Sequence, residues 1–154
     1  VLLIDAFLIG EHHEPGQTRK PSNIEQFYDT FHPTDTGCRV QDILTAYAFL
    51  MARYDMTGVV DIIGVEQAGM WSLLAGAVEP GFHRITVDMN QFDIASDKAW
   101  EETFYIPGIR ALGDVPAALA AGDTQRFVLY NAIPNKEIKD LGVVCTTDNQ
   151  IPEL

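Results

Sequence analysis

Residues 58–78 read GVVDIIGVEQAGMWSLLAGAV, and this stretch decides the fold. Val59, Val60, Ile62 and Ile63 form a nearly continuous β-branched run, which predicts a strand buried on both faces and therefore central in a parallel sheet. The run stops at Gly64, and an Ala/Leu-rich helical segment follows a few residues later. Between them, Gly64-Val65-Glu66-Gln67-Ala68-Gly69 has the small–x–apex–x–small spacing of an elbow, where small neighbours leave room for one strained, exposed residue between strand and helix. A serine hydrolase carries Ser at that apex. This chain carries Glu66, and no G-x-S-x-G occurs anywhere in its 154 residues.

Upstream, Val1-Leu2-Leu3-Ile4 followed by Asp5 predicts another parallel strand whose carboxyl end meets solvent. The polar, breaker-rich Glu11-His12-His13-Glu14-Pro15-Gly16 predicts a loop. Its imidazoles and carboxylates are of types that ligate divalent ions, but no second cluster at fixed spacing supports them, so no metal site is expected. Residues 17–36 predict a long irregular excursion pinned by Phe27, Tyr28 and Phe31, either a lid or a surface loop. From residue 37 to 54, Val40, Ile43, Leu44, Tyr47, Leu50 and Met51 recur at three- and four-residue steps, an amphipathic helix lying on a sheet. Asp35 or Thr36 is its expected cap, and Asp42 within it is expected to be structural.

Downstream, Glu79-Pro80-Gly81 stops the helix after the elbow, and residues 84–88 form the next strand, ending in Asp88-Met89-Asn90. Residues 91–123 are the least regular part, carrying Trp100, Phe104 and Tyr105 and then an Ala/Leu helix, and are placed to cap the site. Residues 125–131 predict a further strand, and residues 143–146 a possible last one. Strands alternating with helices mean an α/β fold: a mainly parallel sheet of four to five strands with helices on both faces, in one domain spanning residues 1–154. The chain opens inside an apolar run without an initiator Met and is expected to be part of a longer protein.

Composition narrows the partners. With 47% hydrophobic residues the chain can bury one sizeable core. A formal charge of −12 with scattered Lys and Arg argues against nucleic acid and anionic membranes, and no apolar run approaches the ~20 residues of a membrane helix. Cys38 and Cys145 sit in no ligand spacing and are expected to be free thiols.

Together, Asp42-Ile43-Leu44-Thr45-Ala46, the elbow at residues 64–69 and Ile106-Pro107-Gly108 resemble acetyl-xylan-esterase-like and prolyl-oligopeptidase-like hydrolases of the α/β-hydrolase superfamily, over its central and carboxyl-terminal part and most of residues 1–132. The resemblance implies a Ser at the elbow, an acid after a later strand and a His after the last one. Here Glu66 stands for the Ser, Asn131 ends the strand where an acid belongs, and no His follows His83. The implied function is a degenerate, non-catalytic domain serving as a structural or oligomerising module of a carbohydrate-esterase-like protein. Two alternatives stand beside it: a hydrolase of small esters or acetylated sugars completed by another segment or partner, and a small-ligand or sugar-binding module. The candidate residues at the sheet's carboxyl edge are Glu66 and Asp88 for chemistry, and Gln67, Asn90, Trp100 and Tyr105 for a ligand. Neither a cofactor nor a metal is expected. A second copy, or another segment of the same protein, is expected on the apolar edge at residues 1–4.

Overall fold

A computed structural model describes residues 1–12, 32–53 and 58–146. The elements are α1 (Asp35–Met51), β1 (Val60–Gly64), α2 (Gln67–Val78), β2 (Phe82–Asp88), α3 (Asp97–Thr103), α4 (Ile109–Leu112), α5 (Asp114–Ala121), β3 (Phe127–Tyr130), α6 (Lys136–Asp140) and β4 (Val144–Cys145). The four strands form one parallel sheet in the order β1-β2-β3-β4. Helices pack on it as the alternating pattern requires, giving a partial α/β fold.

The core lies between sheet and helices. Ile85 and Val87 of β2, Leu129 of β3, Leu73 of α2, and Val115 and Leu119 of α5 are wholly buried. Residues 85 and 87 lie beside Phe127 and Leu129 in register, so one sheet face offers a continuous apolar row to α2. Tyr47 of α1 packs on Phe82 with ring centroids 4.6 Å apart. Met70 and Trp71 are 2% exposed and serve helix packing.

Three expectations need correction. First, β1 is an edge strand among the described residues, with β2 as its one neighbour. Its burial alternates, and Val59 and Ile63 are exposed, because Asp61 interrupts the β-branched run and turns one face outward. Second, residues 1–4 form no strand and join no ladder. This segment is held further along: the Phe7 N–H donates to Asp42 Oδ2 (2.8 Å), Arg39 Nε donates to the Phe7 carbonyl (3.0 Å), and Asp5 closes a turn onto the Glu11 N–H (3.1 Å). Asp42 is therefore structural, as expected. Third, the cap of α1 is Thr34, whose hydroxyl accepts from the Gly37 N–H at 3.1 Å.

The last expected strand forms as β4. Cys38 and Cys145 are free. No helix among the described residues is long and apolar enough to cross a membrane. His13, Glu14 and most of the aromatic excursion lie outside the described residues.

Candidate functional site

Glu66 stands where the sequence places the elbow, at φ 53° and ψ −125°, immediately before α2. This backbone region is costly for any residue with a Cβ. The surrounding glycines are there for space. A Cβ on Gly64 would lie 2.3 Å from the Ala68 carbonyl oxygen, and one on Gly69 would lie 1.9 Å from that of Asp88. Strand and helix can approach this closely only with hydrogen at both positions.

What holds the elbow is Asp88, at the carboxyl end of β2 and 7% exposed. Its Oδ2 accepts the Glu66 N–H at 2.9 Å. Its Oδ1 accepts the Asn90 N–H at 2.8 Å and Asn131 Nδ2 at 3.1 Å. One carboxylate thus ties together the ends of β1, β2 and β3. The backbone repeats the link, with the Met89 N–H on the Tyr130 carbonyl (3.0 Å) and the Gln91 N–H on that of Asn131 (2.9 Å). Glu66, Asn90, Gln91 and Asn131 all hold positive φ, between 45° and 53°. Beside them the Tyr130 phenol is buried without a hydrogen-bond partner; burial, and then the negative charge of Asp88, push its pKa above the ordinary tyrosine value.

Over this bracket lies a cavity of about 310 Å³. Glu66, Gln67, Asp88, Asn90, Gln91 and Asp93 supply its polar wall, and Met70, Met89, Phe92 and Phe104 its apolar one. Residues 91–123 do contribute to the site: Ala99 and Thr103 of α3 line it beside Phe104. The structure therefore brings together Glu66, Gln67, Asp88 and Asn90. It does not bring Trp100, which is 3% exposed, packs edge-on against Phe92 and donates its indole N–H to the Ile94 carbonyl at 3.0 Å. Trp100 is a core residue, not a stacking platform. Tyr105 is exposed but does not line the cavity. Asp5 lies elsewhere, in its own turn.

The exposed Glu66 side chain makes no capping bond to α2. It stands at the cavity wall as a carboxylate acceptor suited to hydroxyl or cationic groups. Nucleophilic use would need a positioned base to activate water. Among the described residues no histidine lines the cavity. His83 stands five residues before Asp88 along β2, roughly 16 Å away, with its Nδ1 2.9 Å from Asp61 Oδ1.

The bracket leaves almost no mark in the sequence. Its one legible trace is Asp88 at a strand end with Asn90 two residues on, since an Asx side chain commonly accepts its own backbone two residues later. Comparison with protein-family models, with curated proteins and with solved structures returns no match to this chain.

Proposed function

We propose that the chain is a degenerate, non-catalytic α/β-hydrolase-like domain that serves as a structural module of a carbohydrate-esterase-like protein. One observation carries this reading. The elbow is complete as backbone, with Glu66 strained at its apex, while the Asp88 carboxylate is already engaged by three donors and no described imidazole reaches the cavity. Such an elbow keeps its architectural role after its chemistry is gone, because Gly64 and Gly69 serve strand–helix contact whatever the apex side chain is.

The test is hydrolysis of p-nitrophenyl acetate by the purified chain. Turnover is expected at the rate of the protein-free control, unchanged in Glu66→Ala and at most feeble in Glu66→Ser. Turnover well above the control that disappears in Glu66→Ala supports the ester-hydrolase alternative instead.

A second reading is favoured by the cavity itself, where Glu66, Gln67 and Asn90 offer acceptors and donors beside an apolar wall. It makes the site a binding pocket for a neutral saccharide. An oligosaccharide at ~100 times its dissociation constant adds about 2.7 kcal/mol of stability, so an unchanged melting temperature across a panel of oligosaccharides removes this reading.

A further inference from the structure

Half of the exposed large apolar side chains among the described residues gather at one edge of the sheet: those of residues 1–4, with Val59, Ile63 and Val65. Leu2, Leu3 and Ile4 line a cavity of about 250 Å³ together with Val60, Ile62 and Ile63, so the patch runs unbroken from the amino-terminal segment onto β1. On its outer side β1 has no strand partner among the described residues. Leu2, Ile4, Ile63 and Val65 are each a little under half exposed, so at on the order of 100 Å² for a fully exposed apolar side chain the patch amounts to about 500 Å². That is at the upper end of the roughly 300–600 Å² of the largest patch on an ordinary monomer and more than half of the roughly 800 Å² that each partner gives a stable dimer.

We infer that this edge seats a second copy of the chain, related by a two-fold axis, with the two β1 strands antiparallel across the seam and one sheet running through both copies. The inference rests on the reading of the chain as a structural module and names its partner. A strand edge is self-complementary: an antiparallel copy of β1 presents the matching row of N–H and C=O groups, and apolar residues meet apolar residues. Two of the usual guards against such pairing, Lys and Pro, are absent from β1, and its one irregularity is a register shift between Val60 and Asp61 on the side of β2. Its one charge, Asp61, already faces His83.

Net charge separates a second copy from a foreign partner. Two chains at −12 repel one another, so copies meet where few charges lie, and their association tightens with salt. A cationic partner held by charge would be released by salt.

Sedimentation velocity of the chain over a dilution series tests this. A reversible monomer–dimer equilibrium is expected, stronger in high salt. Ile63→Lys should weaken it at least tenfold, with unchanged far-ultraviolet circular dichroism and with unchanged melting at dilutions where both chains are monomeric. Val144→Lys, at an exposed position on the opposite edge strand, should leave it unaltered. Backbone amides of residues 61–64 should exchange more slowly as concentration rises. A dilution-independent monomer, open-ended aggregates, or a dimer broken by Val144→Lys and not by Ile63→Lys would overturn the pairing. The two proposals fail separately. Loss of the dimer in an esterase-inactive chain removes the pairing alone, and Glu66-dependent ester turnover by an intact dimer removes the functional reading alone.

Discussion

At the amino ends of β2 and β3 a cation collects carbonyls; at the carboxyl ends of the same strands an anion collects N–H groups. Arg126 Nη1 donates to the carbonyls of Glu79 (3.2 Å) and Phe82 (3.0 Å), and its Nη2 donates to those of Gly76 (3.0 Å) and Gly122. Those acceptors include orphan carbonyls at the ends of α2 and α5, where positive charge is also favoured by the helix dipole. Asp88 does the converse for Glu66, Asn90 and Asn131. The two ends differ in backbone cost. Four non-glycine residues hold positive φ around Asp88, whereas beside Arg126 there is one, Asp123, whose side chain accepts the Gln125 N–H. Closing a sheet end therefore does not in itself require a cluster of strained residues. The extra strain lies where the cavity lies, which ties it to the site rather than to the fold.

If Arg126 is purely a staple, its removal should be the most damaging change at either end. Arg126→Ala strands four carbonyls at once and should cost about 3–4 kcal/mol, seen as a lower urea midpoint at constant slope. Arg126→Lys should recover only part of this, because an ammonium cannot span four acceptors from a planar fork. A loss below about 1 kcal/mol would show that water replaces the guanidinium freely and that the two ends are not comparable.

Asp88→Ala comes next, at about 2–3 kcal/mol, since it leaves two backbone N–H groups and the Asn131 amide without their acceptor. The comparison is sharpened by its coupling to Glu66. Once the bracket is gone the elbow can relax, so Asp88→Ala and Glu66→Gly together should not be additive, whereas Arg126→Ala and Glu66→Gly should be.

How far the sequence discloses these ends follows from the range of the interactions. The helix over Val40, Ile43, Leu44 and Tyr47 and the strand ending at Asp88 are legible because periodicity is local. The elbow is legible because Gly64, Ala68 and Gly69 sit within one turn of its apex. The position of β1 at an edge is not legible, because strand order depends on pairings across the whole chain. The Asp88 bracket joins residues 22 and 43 positions apart, and the Arg126 staple reaches up to 50. Apart from Asn90 two residues after Asp88, neither leaves a spacing to read. Trp100 misleads for another reason: an aromatic residue in an irregular stretch has the same one-letter signature in a core as at a binding surface.

The smallest effect is the one that defines the difference between the ends. Glycine occupies φ 53°, ψ −125° without a Cβ penalty, so Glu66→Gly releases a strain of about 1–3 kcal/mol. Against that stands the roughly 0.5–1 kcal/mol that glycine loses through greater freedom of the unfolded chain. The N–H bonded to Asp88 is retained, and the lost carboxylate is exposed and caps nothing. The net expectation is a stabilisation of about 1 kcal/mol, measured as a raised urea midpoint at constant slope. Val65→Gly is the control, measured at dilutions where the chain is monomeric because Val65 also belongs to the apolar patch: the same turn and a comparable gain in freedom of the unfolded chain, but a position without positive φ, which should be destabilised. If both variants lose stability alike, Glu66 is held without strain, and the elbow is then no more costly than the Arg126 end. If Glu66→Gly alone gains, a non-glycine residue is being kept at the apex against the interest of stability, and its side chain is what the cavity is built to present.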